Sequence, residues 1–184
     1  MELTAILPIL AFVALVAGLV VVSRRTNRIV ARTREVGEFR AAVVDLVARI
    51  DVSLEGATGQ IDAVRHHVLP PAALADTLAA ATDAVERYLV EARALTPPPR
   101  ATAIRSAIVN DLERAERAIS MVEHGATLLI SVRRGNRELE GQTSIKRGYL
   151  NLLHAREALV RHAALADDLD TTSDDQQDVL GRPV

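Results

Sequence analysis

Between Ala72 and Leu95 the apolar residues Leu74, Leu78, Ala81, Val85, Tyr88, Ala92 and Leu95 recur at alternating intervals of four and three. That spacing is the period of one face of an α-helix and of no strand. The same pattern returns at Ile104, Ile108, Leu112, Ala115, Ile119, Val122, Ala126 and Leu129. A last helix bears Ile145, Tyr149, Leu152, Leu153, Leu159, Val160 and Ala163. Each segment carries a single apolar stripe, so none buries it alone, and side-by-side packing into a bundle is the economical solution. Pro70-Pro71 and the run Thr96–Arg100, TPPPR, separate the stripes. A helix does not run through such prolines. Short connectors of this kind make successive helices antiparallel neighbours.

Upstream of Pro70 the pattern is a heptad seam. Ile29, Val36, Val43, Ile50, Ala57 and Val64 fall seven apart, with Phe39 and Leu46 at the companion position. After Ile50 the companion places pass to Ser53, Gln60 and His67, while Leu54, Ile61 and Val68 take over one residue later. Such drift suits a straight helix in a bundle better than a long two-stranded coil. Gly56 and Gly59 are expected to loosen it. The residues Ile29, Val36, Phe39, Val43, Leu46 and Ile50 are nevertheless the candidate seam for self-association of two chains.

Residues 3–22, LTAILPILAFVALVAGLVVV, contain no charge. About 20 helical residues cover the ~30 Å hydrocarbon core of a bilayer. No basic segment precedes the run, as a cleaved secretory signal requires. Arg24, Arg25, Arg28, Arg32 and Arg34 follow it. Positive charge on that side orients a span toward the cytoplasm and also suits anionic headgroups. The expectation is a single-pass anchor over 1–23 in the plasma (inner) membrane, N-terminus outside and remainder cytoplasmic. The inverted topology is disfavoured by those arginines.

The expected fold is all-α: a membrane helix continuing into an antiparallel four-helix bundle. Its helices cover about 24–67, 72–95, 101–133 and 143–166, the last capped by Thr143 or Ser144 after a loop over 134–141. Residues 167–184 hold six Asp and little apolar content, the composition of a disordered acidic tail.

Composition removes several functions. The chain has no cysteine, so thiol catalysis and Cys-based zinc sites are out. A formal charge of −2 argues against a coat for nucleic acid. Lys146 is the only lysine among 22 Lys and Arg residues, a usage that matches a GC-rich bacterial genome. None of His66, His67, His124, His154 and His162 has a Glu three residues before it, so the di-iron bundle signature is missing. Asp62 and His66 stand at i, i+4, but two ligands do not make a metal site. No catalytic residue, cofactor site or metal site is assigned.

Arg156 falls amid Tyr149, Leu152, Leu159 and Ala163, on an apolar face where an arginine needs a carboxylate. With the last two helices paired about a loop near residue 138, it comes level with Ser120. Glu116 and Glu123 are then its expected partners in a bundle-core ion pair.

Arg117 with His124, and Arg156 with His162, resemble the Arg-x4-6-His signature of HEPN-type helical ribonucleases. That resemblance implies RNA phosphate chemistry at those pairs. Residues 48–56, ARIDVSLEG, resemble a short stretch of LemA-type proteins, which also join a membrane helix to long helices, but the acidic tail matches nothing in that family and membership is not inferred. The function expected is that of a membrane-anchored scaffold or accessory subunit working through contacts with protein partners, with a homodimer possible. The alternatives are a signalling bundle that transmits motion with a membrane partner, and the ribonuclease. Neither a nucleic-acid partner nor a small-molecule substrate is expected.

Overall fold

The computed structural model describes the backbone of residues 3–131 and 137–169, and the side chains of residues 32–131 and 137–169. Four α-helices appear among them: α1 (Leu3–Arg65), α2 (Ala75–Ala94), α3 (Thr102–Ser131) and α4 (Arg137–Asp167). Short 3-10 turns at Pro71–Leu74 and Pro99–Ala101 lead into α2 and α3, each with proline where its missing N–H costs nothing. The chain divides into two compact units: Phe39–Leu169, which holds the bundle, and a second made of Met1–Glu38 and Asp170–Val184. Among the described residues no helix is long and apolar enough to cross a membrane. The anchor expected over 1–23 falls outside the residues whose side chains are described, as does most of the acidic tail.

Within Phe39–Leu169 the four helices form an antiparallel ring. Arg49 and Ser53 of α1 reach Glu91 and Tyr88 of α2. Arg93 of α2 reaches Glu113 of α3, and Ser144 of α4 reaches Met121 of α3. Arg40 and Arg156 close the ring between α1 and α4, through Asp167 and Asp51. In every pair with more than one contact, numbers rise along one helix as they fall along the other.

The stripes are the core. Val43, Leu46, Ile50, Leu54 and Ile61 of α1 are buried with Leu74, Leu78, Val85, Ile108, Leu112, Ile119, Ile145, Leu152 and Leu159. Passing the seam from Ser53 and Gln60 to Leu54 and Ile61 lets a straight α1 keep one face inward. Ser53 Oγ then lies 2.8 Å from the Tyr88 hydroxyl, and Thr77 Oγ1 donates to Gln60 Oε1 at 2.5 Å. Two positions depart from expectation. Val68 lies beyond the helix end and is 73% exposed, and Val160 is 49% exposed on the flank of α4. Gly56 and Gly59 do not interrupt α1, which runs through them to Arg65.

α1 ends in a Schellman turn. Val68 N–H donates to Ala63 O at 2.8 Å and His67 N–H to Val64 O at 3.0 Å. His67 occupies the left-handed position usually given to glycine, with φ 59°.

α4 starts at Arg137, ahead of the expected Thr143 or Ser144 cap. Glu138 and Glu140 supply acidic charge to its first turn. Gly141, which looks like a loop residue in sequence, is a packing glycine. A Cβ there would lie 2.9 Å from Leu129 side-chain atoms and 3.0 Å from Gly125 O. At Gly148 it would meet Val122 Cγ2 at 2.6 Å and Ala118 O at 2.7 Å; at Gly125, Gly141 O at 2.7 Å. Three glycines thus let α3 and α4 approach backbone to backbone. At the other end of α4, Leu169 packs on the core and Asp167 accepts from Arg40 at 2.7 Å, so the bundle extends slightly past residue 166.

Two glycine substitutions should therefore move stability in opposite directions. Gly148→Ala has backbone in its way and should cost about 1–3 kcal/mol. Gly59→Ala has open space and should gain about 0.5–1 kcal/mol. Thermal melting of the full chain by circular dichroism, at roughly 2–4 °C per kcal/mol, reads both signs. His67→Gly, which removes the left-handed strain, should also raise the melting temperature.

Candidate interaction surface

The polar groups that the bundle draws inward are matched to one another, and no buried side-chain nitrogen or oxygen among the described residues lacks a hydrogen-bond partner. Arg156 is one of them, and its partner differs from the expected Glu116 and Glu123. Its Nε donates to Asp51 Oδ1 at 2.9 Å, Nη2 lies 2.7 Å from the same oxygen, and Nη1 donates to Thr58 Oγ1 at 3.2 Å. Thr58 in turn donates to Glu55 O at 2.9 Å. The cause is register and direction together. α4 begins earlier than the loop near 138 allows, and Arg156 lies on the edge of α4 that faces α1 rather than α3. Glu116 is half-buried and Glu123 is exposed.

A second polar contact has no counterpart in the sequence expectations. Asp111 of α3 is buried, with His162 Nε2 2.9 Å from its Oδ2 and Arg114 Nη1 3.0 Å from its Oδ1. The signal was available: Asp111 stands seven residues before Ala118 and between Ile108 and Ala115, inside the buried arc of α3.

These two contacts take up Arg156 and His162 of the paired Arg and His positions. Arg156 points to α1 and His162 to α3, so the two do not converge. His124 is exposed beside an open groove lined by Glu140, Ser144 and Arg147, and Arg117 is not part of it. His66 Nε2 is 3.7 Å from Asp62, whose carboxylate is already held by Arg65 at 2.7 Å. No group of three possible metal ligands forms among the described residues.

The candidate self-association seam is turned inward. Phe39, Val43, Leu46 and Ile50 are consumed by the core of one chain, Val36 is half-buried, and Ile29 lies outside the described side chains. The corresponding correction is that the opposite face of α1 is the open one. Ala41, Val44, Ala48, Val52, Gly56 and Gly59 recur at three and four and are all exposed, Val44 by 42% and Val52 by 72%. Added Cβ atoms at Gly56 and Gly59 would meet nothing.

Apart from Glu55, which is exposed between Val52 and Gly59, the charges along this face are engaged within the chain. Arg49 Nε donates to Asp45 at 2.9 Å while its Nη atoms grip Glu91. Those hydrogen bonds, Glu91 first, raise the Arg49 guanidinium above its ordinary value. Asp51 is held by Arg156. Of the arginines after the apolar run, Arg24, Arg25 and Arg28 lie outside the described side chains and Arg32 is exposed. Arg34 is exposed too and hydrogen-bonds Glu38 at 2.7 Å, which raises its guanidinium above its ordinary value.

The two internal ion contacts should respond differently to deletion. Asp111→Ala strands His162 in a mostly buried position and should cost about 1–3 kcal/mol. Arg156→Leu leaves Asp51 able to reach water and should change stability by less than about 1 kcal/mol. Thermal melting of the two variants side by side decides whether the contacts rank in this order.

No protein-family model, curated protein or solved structure matches this chain.

Proposed function

We propose that the chain is a single-pass membrane protein whose helical bundle lies on the cytoplasmic side and acts as a scaffold or accessory subunit through protein contacts. The observation that carries this reading is the outward face of α1. A helix face mostly of Ala, Val and Gly along residues 41–59, with Glu55 its one unpaired charge among the described residues, lets another helix come close, because small side chains keep the backbones near each other. The anchor and its orientation rest on the uncharged run at 3–22 and the five arginines after it. Tethering raises the effective concentration of such a face toward membrane partners, so a modest contact area suffices.

The first test is crosslinking and copurification from native membranes with the full chain, a version lacking residues 1–23, and the double variant Ala48→Arg/Gly59→Arg. A defined partner set should be captured by the full chain and lost in both altered forms. The double variant should melt normally, because neither position touches the core. Retention of the same partners by the double variant would discard α1 as the interaction surface. Orientation has its own readout, since the chain has no cysteine. A single Asp76→Cys should escape an impermeant maleimide in intact cells and react once they are opened.

A further inference from the structure

At the end of the bundle where α1 stops and α4 begins, a cavity of about 230 Å³ opens among the helices. Its floor is apolar: Val64 and Ile145 are buried, and Leu69 and Leu129 pack partly against the core. Its rim is cationic and amide-bearing, with Arg65, Lys146 and Gln142. No carboxylate lines it.

The rim is organised in advance. Arg65 is fixed from two sides, its Nη1 2.7 Å from Asp62 Oδ1 and its guanidinium carbon 4.3 Å from the centre of the Tyr149 ring. Lys146 is exposed, and among the described residues it makes no hydrogen bond or ion pair. The wall between them includes His67, the residue that the Schellman turn holds in the left-handed region. Strained backbone of that kind gathers at ligand sites more often than elsewhere.

Charge and size together select a class of ligand. Arg65 and Lys146 set against Asp62 leave one net positive charge, which matches a monoanion better than a phosphate dianion. An apolar cavity of ~150 Å³ holds benzene, so this one has room for a ring or a short acyl chain together with its polar head. A carboxylate at the rim gains charge-assisted hydrogen bonds while its hydrocarbon body leaves water. We propose that this cavity binds a small apolar monocarboxylate, its hydrocarbon on the Val64, Leu69, Leu129 and Ile145 floor and its carboxylate at Lys146 and Arg65. The site is separate from the outward face of α1 and does not rest on the scaffold function.

Lys146 is the only lysine in the chain, which makes it a reporter. Reductive methylation with ¹³C-formaldehyde keeps its charge and, besides the N-terminal amine, labels nothing else. The full chain in lipid nanodiscs is titrated with benzoate, benzamide and inorganic phosphate, following the Lys146 methyl resonance. Benzoate should give a saturable shift with Kd below about 1 mM, and benzamide and phosphate should each be at least roughly tenfold weaker. Calorimetric titration of unlabelled protein should show a loss of about tenfold or more in benzoate affinity for Lys146→Gln, an exposed substitution that leaves the fold alone. Leu69→Trp, which fills the cavity with a larger lining side chain, should abolish binding. Absence of a saturable benzoate response overturns the proposal. So does an equal response to benzamide or phosphate, or undiminished benzoate binding in either variant.

Discussion

The close approach of α3 and α4 at Gly125, Gly141 and Gly148 is the constraint on which the rest of the bundle depends. Leu, Ile and Val elsewhere in the ring fill space without by themselves fixing a level. Glycines opposed to backbone cannot slide. Moving α4 by one turn would bring Ile145 or Leu152 against the α3 main chain, where a Cβ has under 3 Å of room. The same approach explains why Ser144 reaches a backbone carbonyl, Met121 O, across the interface at 2.8 Å. Once this register is set, His162 comes level with Asp111, and Arg156 is left on the edge of α4 nearest α1.

That ordering explains which parts of the fold the amino-acid pattern discloses. The four helices and their inward faces are visible because burying one stripe per helix imposes a 3.6-residue period on every apolar choice. Leu54 and Ile61 take the inward places as the seam drifts, for the same reason. Register is a different kind of information. It belongs to pairs of helices, and the residues that set it here are glycines, whose sequence signature is shared with turns. Gly141 in RELEG looks like a break, so the α3–α4 turn is expected too late and Arg156 is matched to Glu116 and Glu123 instead of Asp51. The place of Asp111 inside the apolar arc is readable, but its partner is not. An acid within an apolar arc has no meaning until the opposing His162 is placed beside it.

The faces of α1 follow from the same competition. A heptad of Val, Phe, Leu and Ile serves equally well as a seam between two chains or as one wall of a bundle, and both uses bury the same atoms. α2, α3 and α4 belong to the same chain and meet α1 without the translational entropy lost on association, so the intramolecular use wins. What stays available outside is the set of residues the bundle had no use for. Along one line of α1 most of these are small: Ala41, Ala48, Gly56 and Gly59, with Val44, Val52 and Glu55 among them. Glycine in a helix interior costs about 1 kcal/mol relative to alanine. Keeping two glycines in solvent on one line is therefore a stability penalty that the bundle itself does nothing to offset. On the proposed scaffold reading a closely packed partner helix would offset it, because glycine lets two backbones approach.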